Sequence, residues 1–165
     1  MQIYLVRHAI AAQRDPEQWP DDRDRPLTSK GEQRFRKAAR GLQKLVSTVD
    51  LAFSSPLERA WRTAVILNEE AGWPEPAAWS QLEPDRAPQQ VVLALTPHLT
   101  VGSVALVGHE PGLSDLASYL LAGPGKRVDI QMKKGGAASL LVDGAPQGGS
   151  AWLEWLLTPA VLRSL

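Results

Sequence analysis

The sequence predicts a three-layer α/β/α sandwich with a mostly parallel sheet. Three short apolar runs, at residues 3–6, 51–54 and 104–107, are typical of strands buried on both faces. Apolar residues at helical spacing separate the runs, and alternating strands and helices favour a parallel sheet covered on both sides. A polar loop is predicted over residues 11–26. We expect one domain, residues 1–165, because this length is close to the common domain size.

Local signals mark the starts of the first two helices. Thr28 stands at an N-cap position, and apolar side chains follow at helical spacing through residues 35–46. Ser55 and Glu58 have the spacing of a capping box, with Pro56 at the first helical position. These signals predict helices directly before and after the second strand.

The second half of the chain continues the alternation and then changes. Helices are predicted over residues 88–95 and 111–121, each opening at a proline. Residues 137–142 and 152–156 have the composition of strands, and a glycine-rich turn at 144–149 lies between them. We therefore expect these last two strands to pair with each other.

Composition excludes several classes of function. The 18 basic residues balance the 18 acidic ones, whereas nucleic-acid binders usually carry a basic excess. The absence of cysteine excludes disulfides, thiolate catalysis and cysteine-ligated zinc, and it is typical of a cytoplasmic protein. The apolar N-terminal run is too short for a secretory signal, and no run approaches the roughly 20 apolar residues of a membrane helix. We expect no nucleic-acid or membrane partner.

Four side chains suited to phosphate follow the predicted strands. Arg7 and His8 come directly after the first predicted strand, and His109 comes directly after the third strand. Arg59 lies in the first turn of the helix that follows the second strand. Ligands of open α/β sheets bind at this edge. Arginine donates two parallel hydrogen bonds to phosphate, and an imidazole kept neutral by nearby cations is a nucleophile. The pattern indicates a phosphate site.

Each of these residues also has a simpler interpretation. Arg7 and His8 could be ordinary polar residues of the surface. His109 could cap a helix, and Arg59 could be a solvent-exposed residue of its helix. Metal ligation is a further alternative for the two histidines, but neither stands in an HxxxH or HxH spacing. His98, at a predicted helix end, is interpreted as a surface residue.

Four motifs along nearly the whole chain resemble those of one known family. They are Leu5-Val-Arg-His-Ala9, Arg25-Pro-Leu-Thr-Ser-Lys-Gly31, Ser54-Ser-Pro-Leu-Glu-Arg-Ala60 with Thr63, and Val107-Gly-His-Glu-Pro-Gly-Leu113. In this order they resemble the motifs of the histidine phosphatase superfamily, in its phosphoglycerate-mutase-like branch. The short chain, the Arg-His-Ala-Ile-Ala run at residues 7–11 and the C-terminal residues 155–159 are similar to SixA-type phosphohistidine phosphatases.

The resemblance implies a phosphoglycerate-mutase-like fold and a role for each matching residue. His8 would accept the phosphoryl group as a covalent phosphohistidine, and Arg7 and Arg59 would bind the phosphate. A protonated His109 would complete the catalytic pocket, with Arg25 reaching its rim. Such a hydrolase needs no metal and no other cofactor, because these cations neutralise the phosphate.

The resemblance leaves two points open. Larger members place a general acid in the segment that corresponds to residues 81–85, which makes Glu83 and Asp85 candidates, although solvated loop acids fit equally well. The short chain implies no large cap over the pocket and hence a shallow site. We expect phosphohistidine on a signalling protein as substrate, with two alternatives: a phosphatase for small phosphate esters and a catalytically silent phosphate-binding module.

Overall fold

Six strands form one mixed sheet in the computed structural model, which describes residues 1–165. In spatial order they are β3 (Ala77–Ala78), β2 (Leu51–Ser54), β4 (Ser103–Gly108), β1 (Gln2–Arg7), β5 (Ala137–Val142) and β6 (Ala151–Leu157). Strands β1 to β4 run parallel, β5 pairs antiparallel with β1, and β6 pairs antiparallel with β5. The mostly parallel sheet and its late hairpin are confirmed. Strand β3 was not predicted from the sequence, because its two residues are too few to show a period-2 pattern.

Helices cover both faces of the sheet. They are α1 (Ser29–Leu45), α2 (Glu58–Ala71), α3 (Pro88–Leu95), α4 (Gly112–Ala122) and the single-turn α5 (Pro159–Leu162). Successive side chains of a strand point to opposite faces of the sheet. On one face, Tyr4 and Val6 of β1 join a buried cluster with α1, α2 and α5. On the other face, Ile3 and Leu5 join a second cluster with α3 and α4. The predicted three-layer sandwich is confirmed. No helix is long and apolar enough to cross a membrane.

The two predicted helix starts differ in outcome. The Thr28 hydroxyl caps α1 by accepting from the amide N–H three residues on, at 2.9 Å. Helix α2 begins only at Glu58, and its N-cap, Leu57, makes no side-chain cap. The prediction of a capping box is therefore wrong. The Ser55 hydroxyl does not cap α2 but accepts from the Leu57 N–H and forms a hydrogen bond with the His109 ring.

Strand register brings three strand ends level at one edge of the sheet. The His8 N–H donates to the Gly108 carbonyl at 3.0 Å, which continues the pairing of β1 with β4. The Ser55 N–H donates to the Val107 carbonyl at 3.0 Å, which continues the pairing of β2 with β4. Residues that follow β1, β2 and β4 therefore lie side by side.

Candidate active site

Two histidines form the centre of this edge. The ring centroids of His8 and His109 are 5.1 Å apart, and the rings are tilted by 53°. The two residues are only 6 % and 5 % exposed, respectively. The structure thus brings together two residues that are about a hundred positions apart in the chain. His8 is not a surface residue, and His109 is not a helix cap, because α4 has Pro111 at its N-cap and no side-chain cap.

The His8 ring is held in one tautomer. Its Nδ1 lies 2.7 Å from the Ala9 carbonyl oxygen, which can only accept, so Nδ1 carries the proton. Burial, aided by the positive charges of Arg59, Arg7 and Lys134, lowers the pKa of His8 to about 3. The ring is therefore neutral at pH 7, and Nε2 keeps its lone pair.

The second histidine bonds a serine that the sequence analysis assigned to a helix cap. The Nε2 atom of His109 lies 2.9 Å from the Ser55 hydroxyl oxygen, which also accepts from the Leu57 N–H and has one hydrogen of its own to donate. Burial, with the charges of His8 and Arg59, lowers the pKa of His109 to about 3. The expected protonated His109 is thus a neutral ring here, although a bound dianion would favour its protonated form.

Two arginines reach the histidines from different elements. Arg7, at the end of β1, donates from Nη1 to the Met132 carbonyl at 2.7 Å. Arg59, in the first turn of α2, donates from Nη1 to the Asp22 carbonyl at 2.8 Å, and its Nη2 pairs with the Asp22 carboxylate at 3.1 Å. Burial lowers the pKa of both guanidiniums, which nevertheless remain charged at neutral pH.

Buried nitrogens without partners are concentrated in this cluster. The Nε atoms of Arg7 and Arg59 and the Nδ1 atom of His109 make no hydrogen bond. Only one other buried side-chain nitrogen or oxygen in the protein, Oε1 of Gln2, is in the same condition. A buried polar group without a partner costs about 1–3 kcal/mol, so an anion that accepted from these nitrogens would be stabilised.

Asp22, which lies in the segment predicted as a polar loop, joins Arg25 to the cluster. The Nε of Arg25 pairs with Asp22 at 2.7 Å, and its Nη1 donates to the Ala12 carbonyl at 2.8 Å. Asp22 therefore lies between Arg25 and Arg59, and the hydrogen bond from Arg25 lowers the pKa of its carboxyl. Arg7, Arg25 and Arg59 are called the three arginines below.

The two acid candidates occupy different environments. Glu83 pairs with Nη1 of Arg23 and lines a cavity of about 10 Å³ that also touches His109. Asp85 is exposed in a turn at φ 64° and makes no hydrogen bond or ion pair. The structure therefore brings one candidate near the histidines, already paired with a cation, and leaves the other in solvent.

A lysine joins the site from the segment before β5. The Gly135 N–H donates to the carbonyls of Arg7 and His8 at 3.1 and 3.0 Å, which holds Lys134 beside them. Gly135 has φ 76°, and a Cβ there would press on Phe35, so glycine is required for this close approach. Partial burial of the ammonium group, together with the charges of the three arginines, lowers the pKa of Lys134. In the sequence, only the pair Gly135-Gly136 marks this position, as a site of close backbone approach.

The third histidine lies elsewhere. His98 is half-buried, with its ring 5.1 Å from Phe53 and 5.8 Å from Trp79, centroid to centroid. The prediction of a surface residue is thus only partly correct, because these aromatic rings cover one side of it. It remains outside the site.

The neutral histidine pair predicts an acid-sensitive fold. Between the folded-state pKa of about 3 and the unfolded value of 6.5, unfolded histidine binds protons that the folded pair does not, so the free energy of unfolding falls as pH falls. The expected loss is up to about 1.4 kcal/mol per pH unit for each histidine. Urea titrations between pH 6.5 and 4.5 in phosphate-free buffer measure this slope. The double variant His8→Gln/His109→Gln should show a flatter slope, and an equal slope would contradict the assignment.

Comparison with known proteins identifies the family. The sequence profile of the histidine phosphatase superfamily (branch 1) matches residues 3–83. An uncharacterized protein of Picosynechococcus sp. is 35% identical over 143 residues, which cover 85% of this chain and 84% of that protein. The chain belongs to the histidine phosphatase superfamily. It is a phosphatase of the histidine type, as the four motifs predicted.

Solved structures share the fold of this histidine phosphatase. The protein histidine phosphatase SixA, solved with tungstate, matches 98% of this chain and 99% of its own, with 25% identity and a TM-score of 0.84. A protein of Agrobacterium tumefaciens assigned as the phosphohistidine phosphatase SixA matches 96% of this chain and 97% of its own, with 22% identity and a TM-score of 0.77. Mycobacterial glucosyl-3-phosphoglycerate phosphatase, solved with VO3, matches 95% of this chain and 99% of its own, with 18% identity and a TM-score of 0.71. The phosphoglycerate-mutase-like fold is confirmed.

Proposed function

We propose that this histidine phosphatase hydrolyses phosphohistidine on a protein, through a covalent phosphohistidine formed on its own His8. The observation that carries the proposal is the set of buried, unpartnered nitrogens of Arg7, Arg59 and His109 around a neutral His8. They provide donors for phosphoryl oxygens beside a ring nitrogen with a free lone pair. Residues 1–165 are proposed to form a single domain with this activity.

The reaction has two balanced steps. In the first, Nε2 of His8 attacks phosphorus and the bond between phosphorus and the substrate imidazole breaks. The leaving ring keeps the electron pair of that bond on one nitrogen and the proton that it already carried on the other. In the second, a water oxygen attacks the phosphoryl group on His8, the bond between phosphorus and Nε2 breaks and returns its electron pair to Nε2, and inorganic phosphate departs as H2PO4− with both protons of the water. Arg7, Arg59 and His109 donate to the phosphoryl oxygens as negative charge shifts in each transition state.

The protein's own cations are proposed to replace a metal. The positive charges of the three arginines and Lys134 act on the two histidines, whereas Asp22 is the only carboxylate paired with these arginines. Such a cluster attracts a phosphate dianion and repels a divalent cation. We therefore infer that neither a metal nor another cofactor takes part.

A protein substrate is favoured over a small ester by the small size of the cavities next to the two histidines. The cavity that touches His109 holds only about 10 Å³, and Ala9 and Ile10 next to His8 line another of about 20 Å³. Neither volume encloses a sugar or nucleotide, for which pockets of about 300 Å³ or more are usual. A phosphohistidine that projects from a protein surface needs only a shallow opening.

A parallel turnover assay tests the proposed function. The wild-type protein is mixed with a histidine-phosphorylated protein, with free phosphohistidine and with a panel of sugar and nucleotide phosphates, each with and without a chelator. We expect release of phosphate from phosphohistidine, slow or no release from the esters, and no effect of the chelator. Faster turnover of an ester would favour the small-molecule alternative, and no turnover of any substrate would favour the silent phosphate-binding module.

The two acid candidates should matter little for this substrate. An imidazole leaving group can already carry its proton near neutral pH, whereas an alkoxide requires a proton from the enzyme. We therefore expect the double variant Glu83→Gln/Asp85→Asn to change phosphohistidine hydrolysis only slightly, in agreement with the Arg23 ion pair of Glu83 and the exposed position of Asp85. A general acid typically contributes about 10²–10⁴-fold. If the wild type cleaves alkyl phosphate esters rapidly and the double variant loses about 10²–10⁴-fold of that activity, the hypothesis of a small-ester phosphatase is correct.

A further inference from the structure

Four cations without acidic partners extend from the site across α1. We define the basic strip as Lys134, Arg34, Lys37 and Arg163. None of these side chains makes an ion pair or a hydrogen bond within the protein. The neighbouring arginines of α1 behave differently, since Arg36 and Arg40 both pair with Glu70. In a chain with no net charge, the strip is a local excess of positive charge.

The strip begins next to the candidate site, because Lys134 lies close enough to His8 for its charge to lower the pKa of that ring. A cavity of about 20 Å³ is lined by Ala9 and Ile10, the two residues that follow His8, together with Lys134, Arg34 and Arg163. The same two arginines line an open groove of about 450 Å³ with Lys37, and no acidic or apolar side chain lines that groove. The two cavities therefore share a wall, and the strip starts next to the residue that follows His8.

Two local features hold the strip in line. Arg34 and Lys37 are three residues apart in α1 and so lie on one face of the helix. At Gly41 a Cβ would collide with the Leu162 carbonyl, so this glycine lets α5 lie directly against α1. Arg163, the residue after α5, is thereby held beside Arg34. The alignment is thus set by rigid elements.

We propose that the basic strip is the docking surface for an acidic face of the protein that carries the phosphohistidine. This inference rests on the proposed function. Arg34, Lys37 and Lys134 are exposed and stand in a row, whereas a pocket for one small anion needs buried donors that converge. Carboxylates spread over a protein face match a row of exposed cations, and pairing with them would bring the phosphohistidine to His8.

Charge reversal at the far part of the strip tests the proposal. The double variant Arg34→Glu/Lys37→Glu is compared with wild type on two substrates: a histidine-phosphorylated acidic phosphotransfer domain and free phosphohistidine. At low ionic strength we expect kcat/KM for the domain to fall about 10-fold or more, with the difference shrinking as salt rises, because exposed charges act through steered association. We expect kcat/KM for free phosphohistidine to stay unchanged.

A matched control carries the same change of net charge far from the strip. In Lys126→Glu/Arg127→Glu the two replaced cations are exposed in the loop after α4. We expect it to hydrolyse the domain like wild type, and thermal unfolding checks that both variants are folded. Equal activity of strip and control variants on the domain would overturn the docking role and leave the proposed function intact. An equal loss on both substrates would also overturn it, and no turnover of either substrate by wild type would refute the proposed function together with it.

Discussion

Replacing His8 by alanine is expected to abolish turnover, with a loss of at least about 10⁴-fold. His8 is the proposed nucleophile, and the only other ring in the cluster, His109, has its Nε2 bonded to Ser55. Rapid quenching of the wild type with labelled phosphohistidine protein should trap the label on His8, in a form that survives alkali and is lost in acid. His8→Ala should give no trapped label.

Two comparisons make this result specific. The variant His98→Gln changes the histidine that packs against Phe53 and Trp79 outside the site, and it should keep both the trapped label and the turnover. Because His8 is buried, thermal unfolding of His8→Ala, or of the closer replacement His8→Gln, shows whether the fold is retained. A folded His8 variant with undiminished turnover would refute the covalent mechanism.

Replacing Arg59 by alanine is expected to lower kcat by about 10²–10³-fold and to weaken competitive inhibition by vanadate. The Arg59 guanidinium is buried, and its Nε is one of the nitrogens without a partner, so it is proposed to donate to the phosphoryl group. Arg59→Lys should restore little, since a point charge lacks the planar fork that matches two phosphate oxygens.

The matched control lies three residues further along the same helix. Arg62 pairs with Glu32 and Glu69, at 3.1 and 3.0 Å, and does not belong to the cluster around the histidines. Arg62→Ala should therefore keep the wild-type kcat and vanadate inhibition, apart from a small loss of stability. If Arg59→Ala bound vanadate as tightly as Arg62→Ala, the proposed phosphate-binding role of Arg59 would be wrong.

Much of the fold was predictable because its signals are local. The central strands β1 and β4 are continuous apolar runs, which is the pattern of strands buried on both faces, and Thr28 and Pro88 stand at the starts of α1 and α3. The one helix start that failed, at Ser55, failed because a distant histidine engages its hydroxyl. Local capping rules contain no term for such a contact.

The candidate site was predictable only in part. Arg7, His8, Arg59 and His109 were predicted as site residues from their positions after strands, and strand register does bring them to one edge. Asp22 and Lys134 were missed, because Asp22 lies in a single 3-10 turn and Lys134 in the segment before β5, where no periodic pattern marks them. Both gain their places through contacts with residues far along the chain. Nothing near Asp22 in the sequence distinguishes it from a solvated loop charge, and the glycine pair after Lys134 indicates only a turn or a close backbone approach.

The sequence by itself determined the order of the elements, the layers of the sandwich, the family and the residue types available for binding phosphate. Tertiary structure alone decided that the two histidines are neutral, that Asp22 joins Arg25 to Arg59, and that the basic strip begins beside His8. The physical reason is that apolar periodicity and helix caps act over a few residues. Burial, pKa shifts and charge alignment depend instead on groups that only the packed chain brings within a few ångströms of each other.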